Sequence, residues 1–85
     1  ALSNAYPNPF NPATTINYSI ADDVENLQIS IFDIRGRLVD RLHNGSKGKG
    51  EYEIIWNASH LSSGVYFIQM VTNNYVFNQK VMLIK

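Results

Sequence analysis

The chain contains no cysteine, which excludes disulfide staples, thiolate metal sites and a cysteine nucleophile. Compartment stays open on this ground, because an exported domain can do without disulfides and a reducing cytosol makes them rare. There is no excess of either charge, with seven Lys and Arg against seven Asp and Glu. Such a balance lacks the basic field that nucleic-acid binding requires. Charged residues are few, at 16%, and the basic ones form only weak local groups, Lys47 with Lys49 and Arg35 with Arg37 and Arg41. No apolar run approaches the length of a membrane-spanning helix, and no charged-then-apolar leader opens the sequence. The first residue is Ala1, so the chain reads as a piece of a longer protein whose targeting segments lie elsewhere.

What is present is a packed β protein. Eighty-five residues, 45% hydrophobic and 12% aromatic, suffice for one domain with one core. At the usual stability per residue such a domain is held by roughly 4–13 kcal/mol. Residues 1–5 read as a linker remainder and residues 6–85 as a single domain. All three prolines fall within Tyr6-Pro7-Asn8-Pro9-Phe10-Asn11-Pro12. Proline fixes φ and restricts the residue before it, so this stretch is neither helix nor central strand. It is expected to close one end of a sheet core, with Tyr6 and Phe10 as pegs; a proline-rich ligand for an aromatic groove is the competing reading.

Alternation then takes over. Thr14 to Ile20 places Ile16, Tyr18 and Ile20 on one face, and Leu27 to Asp33 does the same with Leu27, Ile29 and Ile31. Asp33-Ile34-Arg35-Gly36 predicts a tight turn, with Asp at its first position and Gly left-handed at its end, before Leu38, Val39 and Leu42 resume a short strand. His43 to Gly50 reads as a glycine-rich loop. Glu51 to Trp56 predicts a strand with Tyr52, Ile54 and Trp56 inward, the tryptophan as central plug. Gly64 to Thr72 and Tyr75 to Lys85 flank Asn73-Asn74 and predict a long hairpin, with Val65, Phe67, Val81 and Leu83 toward the core. Five or six strands joined by Gly, Asn, Asp and Pro turns make an all-β sandwich.

Chemistry is sparse. Asp22, Asp23 and Glu25 lack EF-hand spacing and read as a solvated turn. The glycines of residues 43–50 lack the P-loop pattern. A Ser62–His60–Asp40 triad can be drawn on paper, but no nucleophile-elbow motif supports it. His43 and His60, both placed in loops, make a poor metal site. Tyr52, Tyr66 and Tyr75 are candidates for a glycan-binding strip, against the plainer reading of cross-strand packing. The expectation is therefore no enzyme, no cofactor, no nucleic acid and no small-molecule substrate.

Three motifs carry a family resemblance. Tyr6-Pro7-Asn8-Pro9-Phe10-Asn11-Pro12-Ala13-Thr14-Thr15-Ile16 resembles the opening of the type A C-terminal sorting domains of type IX secretion, and of the related immunoglobulin-like domain that ends flagellar hook-assembly capping proteins. Asp33-Ile34-Arg35-Gly36-Arg37-Leu38-Val39 after an apolar strand resembles their second motif, and Trp56, Leu61 and Gly64-Val65-Tyr66 their third. Asn57 and His60 stand where the family often has an acidic residue and glycine. The resemblance spans Tyr6 to Lys85. It implies an immunoglobulin-like antiparallel sandwich of about six to seven short strands. It also implies a non-catalytic sorting signal behind N-terminal cargo domains, recognised by an outer-membrane translocon and cleaved by a sortase-like protease. Export then runs through the periplasm to the cell surface or medium. Lys80, Val81, Met82, Leu83, Ile84 and Lys85 are the expected signal. Pro7, Asn8, Pro9, Phe10, Asn11, Pro12, Asp33, Gly36, Arg37, Gly64 and Tyr66 are the expected scaffold. The alternatives are a structural immunoglobulin-like module of a secreted protein or, less favoured, a carbohydrate-binding one.

Overall fold

A computed structural model describes Leu2, residues 5–73 and residues 75–85. Six strands run in the order β1 (Ala13–Ile20), β2 (Val24–Asp33), β3 (Leu38–Lys47), β4 (Gly50–Asn57), β5 (Gly64–Val71) and β6 (Val76–Leu83). They form a two-stranded sheet, β1-β4, and a four-stranded sheet, β3-β2-β5-β6. Every pairing between these strands is antiparallel. The two sheets pack as an all-β, immunoglobulin-like sandwich, and no helix forms among the described residues.

The period-2 pattern decides which face each strand buries. Ile16, Tyr18 and Ile20 of β1 and Leu27, Ile29 and Ile31 of β2 are all core residues, as alternation predicts. Trp56 is 1% exposed and lies at the centre. Its ring is 5.2 Å from Phe10 and 5.9 Å, edge-on, from Tyr66, within the range of favourable aromatic pairs. The indole N–H donates to Asp40 Oδ2 on β3 at 3.0 Å. That bond satisfies the one polar atom of the plug and ties β4 to the opposite sheet.

Three expectations need correction. The glycine-rich stretch 43–50 is mostly strand: His43 to Lys47 continue β3, Gly50 opens β4, and only Gly48 and Lys49 turn between the sheets. β3 is an edge strand, so its ladder with β2 supplies the order that its polar sequence does not signal. Register shifts along that ladder absorb the mismatch. His43 therefore lies in a strand. Second, β5 buries Tyr66, Ile68 and Met70, while Val65 and Phe67 are half-buried on the outer face. Register explains this: Tyr66 faces Val81, and Phe67 faces Lys80. Residues directly opposite share a face, so Val81 and Leu83 in the core require Tyr66, not Phe67, beside them. Third, Phe10 is a buried peg, but Tyr6 is 77% exposed and serves through its backbone.

The last hairpin closes where the Thr72 N–H donates to the Tyr75 carbonyl at 2.8 Å. Asn74 of the expected turn lies outside the described residues, as do Ala1, Ser3 and Asn4 of the lead-in. Within that lead-in, Ala5 is buried, its N–H donating to Gln79 Oε1 at 3.0 Å, and Leu2 bridges to Tyr18.

The phase of β5 is testable. Ile68→Ala should lower unfolding stability by about 2–5 kcal/mol, as buried Ile to Ala does elsewhere. Val65→Ala, half-buried on the outer face of β5, should cost distinctly less, about 1 kcal/mol or below. Urea melts of the two variants provide the check.

Candidate functional site

The expected signal residues occupy β6 and the two residues after it. Val81 and Leu83 are buried, while Lys80, Met82 and Ile84 are exposed. The strand is thus fixed by one face and displays the other. Lys85 is exposed but anchored: its N–H donates to Ser63 Oγ at 3.0 Å and its Nζ to the Ser59 carbonyl at 2.7 Å. The run therefore ends pinned against the loop before β5.

The outer edge of β6 is covered from the Lys80 carbonyl onward. Phe10 lies parallel to it, the Phe10 N–H donating to the Met82 carbonyl at 3.0 Å and the Ile84 N–H to the Phe10 carbonyl at 2.9 Å. One step earlier the Asn8 side chain takes over. The Met82 N–H donates to Asn8 Oδ1 at 3.1 Å, and Asn8 Nδ2 donates to the Lys80 carbonyl at 3.3 Å. From the Lys80 carbonyl to the Ile84 N–H the outward backbone groups of this edge are thus engaged.

The rest of the proline-rich segment is tied to β1 and β4. Tyr6 and Thr15 exchange backbone hydrogen bonds at 3.0 and 2.9 Å. Thr14 Oγ1 donates to the Pro7 carbonyl at 2.8 Å, and the Ala58 N–H to the Pro12 carbonyl at 2.9 Å. Proline has no N–H, so at Pro7, Pro9 and Pro12 the chain offers only acceptors. Pro7 and Pro12 use theirs in these bonds. Asn11 is exposed.

The Asp33 turn is a three-residue hairpin loop. The Gly36 N–H donates to the Asp33 carbonyl at 3.0 Å, and the Asp33 N–H to the Arg37 carbonyl at 2.9 Å. Gly36 has φ +81°, a left-handed conformation that a side chain would strain. The Asp33 carboxylate accepts from the Arg35 N–H at 2.9 Å, the Arg37 N–H at 3.0 Å and Arg37 Nε at 2.8 Å. These bonds, led by the one from the Arg37 backbone, hold the Asp33 carboxyl below its ordinary pKa. Gly64 begins β5 at φ +153°. Tyr66 donates its hydroxyl to the Ser62 carbonyl at 2.6 Å, so its polar end is spent on scaffold, in the manner of a tyrosine corner.

The residues considered for chemistry do not converge. His60 Nε2 comes within 3.7 Å of Asp40 Oδ2, but that carboxylate already accepts from Trp56 and from the Arg41 N–H. Among the described residues no hydrogen bond joins Ser62 to His60. Asp23 accepts from the Lys49 N–H at 2.7 Å and fastens the β1–β2 loop to the β3–β4 turn. The three tyrosines form no common strip. Tyr66 is core, Tyr52 stacks on Tyr18 at 5.3 Å under Lys47, and Tyr75 stacks on Phe77 at 6.0 Å. Burial, followed by repulsion from Tyr52, raises the Tyr18 pKa. Asn57 Oδ1 accepts from the Ser59 N–H at 2.9 Å, the acceptor role a carboxylate would fill there. Asn8 as a backbone mimic is what sequence reasoning missed. The motif contained the residue, but its partners lie 72 and 74 positions away.

These features define an immunoglobulin-like sandwich whose first segment and last strand are locked together and whose last strand displays alternate side chains. The family model described as a secretion system C-terminal sorting domain matches residues 4–85. The chain belongs to that family, the C-terminal sorting signals of type IX secreted proteins. Membership implies handling by the secretion machinery and export to the cell surface or extracellular space. A search of curated proteins finds no match.

Because Asp33 is depressed in the folded state, its contribution to stability is present above the unfolded value near 3.8 and is lost as pH falls through the folded value. Asp33→Asn should therefore unfold at lower urea than the parent at pH 6, with the two midpoints converging in strong acid. Paired urea titrations across pH 2–7 test the sign.

Proposed function

We propose that the domain is a non-catalytic export tag read through the outward side of Lys80 to Lys85. An outer-membrane translocon recognises it after the cargo has crossed the periplasm. A sortase-like protease then separates it from N-terminal cargo in the same chain. No nucleic acid and no small-molecule substrate enters this reading. The observation that carries it is the alternation along β6. Val81 and Leu83 are held in the core while Lys80, Met82 and Ile84 face out, so a receptor meets a rigid, ordered strand at little entropic cost. The outward side chains supply the selection, and strand addition at this edge requires the Asn8 cover to be displaced first.

The test uses the full parent protein. Deleting Lys80 to Lys85 should abolish export, and unimpaired export would end the signal assignment. Because the deletion also strips Val81 and Leu83 from the core, Lys80→Glu combined with Met82→Ser serves as the fold-preserving variant. Its thermal melt should stay close to the parent's while export falls.

A further inference from the structure

We propose that the Asn8 side chain is a displaceable strand mimic that keeps the β6 edge closed until an extended strand of the secretion machinery takes its place. This rests on the sorting reading above and adds how the edge is kept and released. The carboxamide of asparagine has the same donor and acceptor as a peptide group. In this position it does what one peptide unit of a neighbouring strand would do. It accepts from the Met82 N–H at 3.1 Å and donates to the Lys80 carbonyl at 3.3 Å. A covered edge does not template pairing with other chains. The cover is made by a side chain because Pro7 and Pro9, on either side of Asn8, have no N–H with which to pair.

The two ends of the cover differ in strength. Phe10 is 2% exposed, packed on Trp56, and bonded through its own backbone to Met82 and Ile84. Asn8 and Pro9 are exposed, and both Asn8 bonds lie in water at the long end of the hydrogen-bond range. The Asn8 end can therefore lift while the Phe10 anchor stays. Lifting uncovers the Lys80 carbonyl and the Met82 N–H, two backbone groups that an incoming strand can bond. Little apolar surface is exposed by that step, so an incoming strand has only two weak bonds to replace. The partner is defined by backbone chemistry as an extended segment with a free N–H and carbonyl in register, entering beside Lys80 and Met82.

Amide hydrogen exchange on the 85-residue chain tests the latch independently of export. Asn8→Ala should speed exchange at Met82 by roughly five- to tenfold, the loss of one solvent-exposed hydrogen bond. Ile84, still held by Phe10, and Ile68, in the core, should keep parental rates. Asn8→Asp retains the acceptor for the Met82 N–H but loses the donor to the Lys80 carbonyl, and should protect Met82 to an extent between Asn8→Ala and the parent. Unchanged Met82 exchange in Asn8→Ala would overturn the proposal, as would Met82 and Ile68 accelerating together, which would make Asn8 a general structural support. In the parent protein, Asn8→Ala should be exported at or above the parental level. Export lost while Ile68 protection is intact would mean that Asn8 is itself recognised, and would also overturn the latch. The sorting reading stands or falls separately, on the deletion of Lys80 to Lys85.

Discussion

Phe10 is the constraint on which the rest depends. Its ring fills the space between the sheets against Trp56, and its backbone is the last rung of the four-stranded sheet beside β6. One residue thus joins the beginning of the domain, the central tryptophan and the terminal strand. Trp56 passes the connection on to Tyr66 through an edge-on contact and to Asp40 through its N–H. The last strand is held from the inside by Val81 and Leu83 and from the edge by Asn8 and Phe10. Fixing it on two sides makes the displayed face a defined surface instead of a fraying end.

The family motifs turn out to be three separate ways of solving backbone problems. The proline-rich opening supplies a cover for a sheet edge and a core ring. The Asp33 turn satisfies its own amides with a carboxylate and reverses the chain with a left-handed glycine. The segment from Trp56 to Tyr66 spends Asn57 and the Tyr66 hydroxyl on carbonyls and amides of the crossing loop. Each of these groups is engaged within the fold itself.

How much of this is legible in the sequence follows from where the information is local. β1 and β2 keep their large aliphatic residues on one face, joined by Tyr18 in β1, so Ile16, Tyr18, Ile29 and Ile31 announce their direction, although Ser30 on the other face of β2 is also buried. The Asp33–Gly36 turn is equally readable, since its partners lie within four residues. β3 is not, because His43 to Lys47 have no apolar period and take their conformation from the neighbouring strand. The phase of β5 is hidden because Val65, Tyr66, Phe67 and Ile68 are all apolar, and only the register with β6 decides which of them face in. The site divides the same way. Val81 and Leu83 as core, with Lys80 outward, follow from alternation. The engagement of the β6 edge by Asn8 depends on a contact that spans nearly the whole chain.

That span has a kinetic meaning. Bringing residues 8–10 to residues 80–84 closes the longest loop in the domain, and a loop of that size carries an entropic penalty that local turns avoid. Pairing the hairpins first shortens the effective loop that the clasp has to close. A chain that stops short of Gln79 leaves Phe10 without its rung and Ala5 without its side-chain acceptor, whatever the state of β1 to β5. The clasp thus makes the contacts of the proline-rich segment conditional on β6 being in place.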